Sequence, residues 1–126
     1  MKIIMTPDAP KPGGHYAHAV IENDIVYVSG QLPLDPTTGK LKGNSIEEQT
    51  EQCLANVAAI LKAAGSRPDL VLKVTVYLSK TIWLGKVNDI YARFFGAHTP
   101  ARVVVPIEDL PNAMWIEIDA IAAVAK

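Results

Sequence analysis

The chain has 126 residues, of which 49% are hydrophobic and 20% are charged. This length and composition are typical of one globular unit with its own core, so we expect a single domain over residues 1–126 and exclude a disordered or fibrous chain. The formal net charge is -1 at pH 7, and the 12 lysine and arginine residues are scattered. Affinity for nucleic acid comes largely from clustered basic residues, so this charge pattern argues against nucleic acid as the main partner.

The sequence also indicates a compartment. No apolar run approaches the roughly 20 residues that cross a bilayer, so no membrane-spanning helix is predicted. The apolar stretch within Met1–Pro7 is too short for the core of a signal peptide, so no export signal is expected. The single cysteine, Cys53, has no partner for an internal disulfide, which fits a reducing environment. Together these features predict a cytoplasmic protein.

The N-terminal part of the chain has the pattern of a β-hairpin. A short strand is predicted over residues 2–5, and two apolar runs, His18–Ile21 and Ile25–Ser29, flank a turn at Glu22–Asp24. Residues 32–39 are rich in proline, threonine and glycine, which predicts a loop after the hairpin.

The clearest helix follows that loop and is predicted over residues 46–64. Ser45 and Glu48 have the spacing of a capping box, apolar side chains recur at helical spacing, and Gly65 is placed to end the helix. Cys53 lies on the apolar stripe of this helix. We therefore interpret it as a packing residue rather than a nucleophile.

Four more elements are predicted in the second half of the chain. A strand is predicted over residues 70–78, a helix over residues 82–95 that ends at Gly96, and strands over residues 100–106 and 115–122. The apolar face of this helix comprises Leu84, Val87, Tyr91, Phe94 and Phe95. The polar side chain of Asn88 interrupts that face, and its amide is expected to bind either protein groups or a ligand.

This order of elements predicts an α+β fold. Two amphipathic helices can cover only one face of such a sheet. The strands carry valine and isoleucine on both phases of their alternation. The second face of the sheet is therefore expected to meet another subunit.

Arg102 stands in the otherwise apolar strand Pro100–Pro106, and the last strand carries Glu117 and Asp119. A guanidinium keeps its charge inside a protein, so Arg102 is expected to meet either a carboxylate of the protein or an anionic ligand. Glu117 and Asp119 are two residues apart and share one side of their strand, so an ion pair with Arg102 is one of the two interpretations.

The chain lacks the motifs of several common enzyme classes. It has no glycine-rich phosphate loop and no signature of a serine hydrolase. His15, His18 and His98 have no acidic or cysteine residue at a metal-like spacing, so we interpret them as exposed loop histidines and predict no metal site.

Five segments carry a recognisable pattern in order along the chain: Val28–Gly39, Ile46–Thr50, Val87–Tyr91, Pro100–Arg102 and Ile116–Ala122. Together they resemble the Rid family of reactive intermediate deaminases, also called the YjgF or endoribonuclease L-PSP family. The resemblance extends from about Ile4 to Ala122.

The resemblance implies a chorismate-mutase-like fold, in which a mixed β-sheet is covered on one face by two helices, assembled as a homotrimer with ligand clefts between subunits. It implies hydrolysis of 2-imino acids or their enamine tautomers, such as 2-iminopropanoate and 2-iminobutanoate, to 2-keto acids and ammonia. The partner would be a small imino or keto acid, and neither a metal nor an organic cofactor is implied. A fold alone would not establish this activity.

The resemblance also implies roles for particular residues. Arg102 would grip the substrate carboxylate with two parallel hydrogen bonds. Glu117 would hold and polarise the attacking water as a general base. Asp119 is the alternative group for that step. The positions that would line the substrate cleft are Tyr16, Ser29, Gly30, Gln31, Asn88 and Val104.

The chain departs from the family pattern at two places. His15 precedes Tyr16 where the family usually has proline, and Val103–Val105 follows Arg102 where many members have a serine, or a serine and a cysteine. Only backbone groups at Val104 are then available to the substrate. Two other functions stay open from the sequence: an endoribonuclease or translation inhibitor, and a sensor that binds a small carboxylate without converting it.

Overall fold

A computed structural model describes all residues, 1–126. It contains six strands and two α-helices, which confirms the predicted α+β class. In chain order these are β1 (Lys2–Ile4), β2 (Ala19–Glu22), β3 (Ile25–Gln31), α1 (Ile46–Ala63), β4 (Val71–Leu78), α2 (Leu84–Phe95), β5 (Ala101–Pro106) and β6 (Ile116–Ala123). The second helix begins later than predicted, because Thr81–Trp83 forms a separate 3-10 turn.

The start of α1 confirms the predicted capping interaction. The Ser45 hydroxyl accepts a hydrogen bond from the backbone N–H of Glu48 at 3.1 Å. The carboxylate of Glu48 in turn accepts one from the backbone N–H of Asn44 at 3.2 Å. These bonds satisfy backbone donors that an isolated helix end would leave free.

The six strands form one mixed sheet in the order β1-β2-β3-β6-β4-β5. Neighbouring strands are antiparallel except β4 and β5, which are parallel. A parallel pair needs a crossover connection, and α2 provides it. The last strand of the chain, β6, therefore lies in the middle of the sheet and β5 lies at an edge.

Side chains alternate between the two faces of the central strands. Val74 and Val76 of β4 and Ile116 and Ile118 of β6 are buried beneath the helices. The intervening residues of β4 and β6 point to the other face, which we call the open face, and are partly buried or exposed there. The expected one-sided cover by two helices is thus confirmed.

The open face is less apolar than the sequence pattern predicted. The valines and isoleucines of the central strands mostly face the helices. The open-face residues of β4 and β6 are Lys73, Thr75, Tyr77, Glu117, Asp119, Ile121 and Ala123. The presence of polar and ionisable side chains on this face means that a partner covering it must satisfy polar groups as well as bury apolar ones.

His18 is buried, with 2% of its surface exposed, so the interpretation of this residue as an exposed loop histidine was wrong. Its Nε2 lies 2.8 Å from the carbonyl oxygen of Pro10. Its Nδ1 lies 3.1 Å from the backbone nitrogen of Thr6 and accepts a hydrogen bond from that N–H. The proton therefore sits on Nε2, and the ring ties the segment around residues 6–10 to the start of β2.

We expect His18→Ala to lower the free energy of unfolding by about 2 to 3 kcal/mol, because it leaves the amide of Thr6 and the carbonyl of Pro10 without their partner in the ring. Chemical denaturation measures this change. The matched control is His15→Ala, which removes an exposed ring and should have an effect near zero. Equal effects of the two substitutions would contradict the bridging role of His18.

Candidate active site

A pocket on the open face has a volume of about 360 Å³. We call it the open-face pocket. It brings together four of the predicted site residues, Tyr16, Ser29, Gly30 and Glu117, and it is also lined by Tyr77 and Asp119. Two carboxyl groups, two phenol rings and a hydroxyl thus share one concave surface.

Glu117 reaches this pocket because of its position in the middle of the sheet. It pairs with Tyr77 of β4 on one side. On the other side, the pairing of β3 with β6 shifts between Val28 and Gln31, which indicates a bulge at Ser29 and Gly30 opposite Asp119. A Cβ atom at Gly30 would lie 3.0 Å from Cδ of Glu117 and 3.1 Å from Oε2. The glycine therefore permits the close approach of the carboxyl group to the backbone of β3.

The surroundings of Glu117 favour its protonated form. Partial burial of the carboxyl group raises its pKa above the ordinary value, and the negative charge of Asp119 raises it further. The hydroxyl of Tyr77 donates a hydrogen bond to Oδ2 of Asp119 at 3.2 Å. Glu117 and Asp119 thus differ in environment, although they lie two residues apart. Glu117 has the features expected of a proton-transfer group.

Tyr16 lies at the rim of the pocket and is half exposed. Its hydroxyl accepts a hydrogen bond from the backbone N–H of Gly13 at 3.3 Å. The loop that carries it is attached to β3 through Ser29, whose hydroxyl donates to the carbonyl of Ala17 at 2.7 Å and whose N–H donates to the carbonyl of His18 at 2.9 Å. Ser29 therefore keeps only acceptor capacity for a ligand.

Gln31 faces away from the open-face pocket. Its side chain is buried, and its amide nitrogen lies 3.1 Å from the carbonyl oxygen of Ser29 and 3.2 Å from that of Gly30. Because these are the residues of the bulge, the side chain of Gln31 supports the shape of the pocket wall from behind.

Arg102 lies elsewhere, on the helix-facing side of the edge strand β5, and is exposed. Its Nη1 donates a hydrogen bond to Oδ1 of Asn88 at 2.7 Å. Its guanidinium carbon lies 4.9 Å from the centre of the Tyr91 ring. Val104, the next residue on the same side of β5, packs against the edge of the core. We call these four residues the arginine edge.

The structure corrects the prediction that Asn88 lies on the inward stripe of its helix. The buried residues of α2 are Val87, Ile90 and Phe95, and Asn88 is exposed. The inward stripe is rotated relative to the predicted one, so Asn88 faces β5. Of the two partners foreseen for its amide, the structure provides a protein group, the guanidinium of Arg102.

An ion pair between Arg102 and Glu117 or Asp119 is absent within one chain. Arg102 pairs with Val74 of β4, whereas Glu117 pairs with Tyr77 of the same strand. The two residues are therefore about 10 Å apart along the strands and about 10 Å apart across them. They also point to opposite faces of the sheet. The intramolecular interpretation of Arg102 was wrong, because alternation and strand order separate it from both carboxylates.

The sequence pattern did not predict Tyr77 as a pocket residue or Tyr91 as a contact of Arg102. Tyr77 lies in the pocket because β4 pairs with β6, which is distant along the chain. A local sequence pattern does not reveal this pairing. Tyr91 was assigned to the apolar face. Its spacing of three residues from Asn88 could have placed the two on one side of the helix beside Arg102.

No three His, Cys, Asp or Glu side chains converge in a way that could hold a metal ion. His98 has a structural contact, because its Nε2 lies 2.7 Å from the carbonyl oxygen of Val71. Neither helix is both long enough and apolar enough to cross a bilayer.

Known proteins have a similar sequence and a similar fold. The sequence model of the family described as endoribonuclease L-PSP matches residues 6–124. A RutC family protein of Pyrococcus horikoshii is 45% identical over 121 residues, which cover 96% of each chain. A protein of Rattus norvegicus named 2-iminobutanoate/2-iminopropanoate deaminase is 41% identical and covers 96% of this chain and 88% of its own.

The fold is matched by the crystal structure of E. coli TdcF with bound serine. It has a TM-score of 0.93 and 34% sequence identity, and the match covers 99% of this chain and 100% of that one. The mixed sheet with two helices on one face therefore places this chain in a class of small α+β proteins. The chain belongs to the endoribonuclease L-PSP family, also called the Rid family.

We expect Asp119→Asn to lower the pKa of Glu117, because the negative charge of Asp119 is one of the two causes that raise it. The pKa should stay above the ordinary value, since the burial of the carboxyl group remains. A carbon-13 NMR titration of the Glu117 carboxyl group measures the shift. Asp109→Asn, which removes an exposed carboxylate in the connection between β5 and β6, is the control. An unchanged titration in Asp119→Asn would refute the charge effect.

Proposed function

We propose that this protein hydrolyses reactive 2-imino acids, or their enamine tautomers, to 2-keto acids and ammonia. The observation that carries this proposal is a pair of complementary half-sites. The arginine edge offers a guanidinium that makes no contact with a carboxylate, and the open-face pocket offers a half-buried carboxyl group suited to proton transfer. A substrate with one carboxylate beside an electrophilic carbon needs both.

The two half-sites lie on opposite faces of one chain, so a small substrate cannot contact both within it. We therefore propose that the active site is a cleft between two subunits of a homotrimer. One chain supplies Arg102 and Val104, and its neighbour supplies Tyr16, Ser29, Gly30 and Glu117. The polar residues of the open face support this arrangement, since they would line or border the cleft.

In this cleft, Arg102 would bind the substrate carboxylate through two parallel charge-assisted hydrogen bonds. Glu117 in its ionised form would take a proton from water while the water oxygen adds to the carbon of the protonated imine, which gives a neutral carbinolamine. The protonated Glu117 would then return that proton to the carbinolamine nitrogen. As the C–N bond breaks and ammonia leaves, the ionised Glu117 would accept the hydroxyl proton and the carbonyl forms. A carboxyl group with a raised pKa suits both steps, because it holds the proton well enough to accept and return it.

The relatives support the same activity. The rat protein is named for the deamination of 2-iminobutanoate and 2-iminopropanoate. Serine, bound by TdcF, shares the α-carboxylate and α-nitrogen of these substrates. The buried, unpaired thiol of Cys53 fits the cytoplasmic location that we propose.

A second candidate is a sensor that binds a small carboxylate without converting it. The bound serine of TdcF favours this candidate, because binding of an amino acid does not require turnover. The two candidates share the role of Arg102 and differ at Glu117, which only the enzyme requires for chemistry.

We expect Arg102→Ala to lower kcat/KM for imine hydrolysis at least about 100-fold, because it removes two charge-assisted hydrogen bonds. Glu117→Gln should lower kcat by about 100-fold or more, because it removes the proton acceptor. The assay generates imino acids in situ with an amino-acid oxidase and measures how much is trapped by semicarbazide. Arg93→Ala, which removes an exposed arginine on α2, is the matched control and should behave as wild type.

If wild-type protein fails to lower the trapped yield from any amino acid tested, the deaminase proposal is wrong. Binding of 2-keto acids that persists in Glu117→Gln would then favour the sensor. Full activity in Glu117→Gln, with Asp119→Asn inactive, would assign the proton transfer to Asp119.

The shared cleft predicts complementation between two inactive variants. When Arg102→Ala and Glu117→Gln chains are refolded together in equal amounts, about a quarter of the clefts should combine an intact Arg102 with an intact Glu117 from the neighbouring chain. The mixture should therefore regain about a quarter of wild-type activity. Each variant refolded alone is the control. A mixture that stays inactive while the chains are shown to exchange would place both residues in a site supplied by one chain.

A further inference from the structure

We propose that Tyr91, together with Asn88, is a positioning residue for Arg102 and holds its guanidinium ready for the substrate carboxylate. This proposal rests on the proposed function: it names the residues that hold Arg102, which is proposed to bind the substrate carboxylate. The residues that carry it are two side chains of α2 that meet Arg102 from different directions.

Arg102 needs such support because of its location. It lies on an edge strand and is exposed. No carboxylate lies within ion-pair distance of it, since the salt bridges of the chain involve other residues. A long side chain in this setting would move among many rotamers, and ordering it would weaken the binding of a ligand.

Asn88 and Tyr91 are three residues apart and lie on the same side of α2. Asn88 accepts a hydrogen bond from Nη1 at 2.7 Å. Tyr91 places its ring 4.9 Å from the guanidinium carbon, within the range of a cation–π contact. The hydrogen bond fixes one nitrogen, and the ring restricts the position of the guanidinium group.

These contacts leave most of the N–H donors of Arg102 available to a ligand. A guanidinium has five N–H donors, and only Nη1 makes a hydrogen bond within the chain. The ring of Tyr91 attracts the cation without competing for its donors. The remaining donors are available for a planar carboxylate, which needs two of them side by side.

Tyr91 is itself held in place by the core. Its ring lies 4.7 Å from the ring of Phe95, which lies 4.8 Å from the ring of Phe94 and 6.1 Å from that of His98. The hydroxyl of Tyr91 is buried and has no hydrogen-bond partner. The face of the ring, rather than the hydroxyl, is therefore the part of Tyr91 that serves Arg102.

The test measures the binding of 2-oxobutanoate by isothermal titration calorimetry. Tyr91→Leu should weaken binding about tenfold, equivalent to about 1.4 kcal/mol. Tyr91→Phe keeps the aromatic ring and should therefore retain most of the wild-type affinity for 2-oxobutanoate. Phe94→Leu is the matched control, because it removes a ring from the same helix that does not contact Arg102, and it should leave the affinity close to that of wild type.

A double-mutant cycle separates positioning from general destabilisation. In the Arg102→Ala background, Tyr91→Leu should cause no further loss of affinity, since the group that it positions is already gone. In turnover assays, Tyr91→Leu should raise KM more than it lowers kcat. Thermal unfolding of each variant shows whether the fold persists at the assay temperature.

Three results would overturn the inference. They are additive losses of affinity in the double mutant, a loss of affinity in Tyr91→Phe as large as that in Tyr91→Leu, or an equal loss in Phe94→Leu. Failure of the proposed function gives a different result. If wild-type protein binds 2-oxobutanoate in a Tyr91-dependent way but hydrolyses no imine, the positioning role stands and the deaminase proposal fails. If imine hydrolysis occurs and does not depend on Tyr91, the deaminase stands and the positioning role fails.

Discussion

The alternation of side chains across the central sheet is the constraint on which the candidate site depends. It points Arg102 toward the helices and Glu117 toward the open face, and β4 lies between their strands. Because a β-strand has a period of two, neither residue could change face without reversing the burial of its whole strand. The two residues can therefore contact one small ligand together only where two chains pack against each other.

The two half-sites differ in charge and in exposure to water. Glu117 is partly buried beside the charge of Asp119, and both causes raise its pKa. Arg102 is exposed in one chain and makes only an amide hydrogen bond and a contact with an aromatic ring. In the proposed cleft both groups would lose contact with water. An anionic ligand would then compensate the buried charge of the guanidinium. The same desolvation would strengthen the binding of a carboxylate over that of a neutral molecule.

Buried polar side chains hold the irregular segments around this site. Gln31 supports the bulge beside Gly30, and His18 ties down the segment that leads to the Tyr16 loop. Gln49 does the same at the far end of β6, where it accepts a hydrogen bond from the N–H of Trp115 at 2.9 Å and donates one to the carbonyl of Ala113 at 3.1 Å. Each of these side chains hydrogen-bonds to backbone groups that the loops leave unpaired. The conformations of these loops therefore depend on buried side chains as well as on the loop sequences.

The sequence by itself determined the local elements. The capping box at Ser45, the two amphipathic helices and the succession of strands and helices along the chain follow from periodicity and from turn and cap residues, which act within a few positions of the chain. It also identified Arg102 and Glu117 as residues in need of an explanation. Only the tertiary structure decided which face each would occupy, that Tyr77 would stand beside Glu117, and that His18 would be buried. The physical reason is that periodicity tells which residues share a face, whereas strand order and register arise from contacts between β3, β4 and β6, which are far apart along the chain.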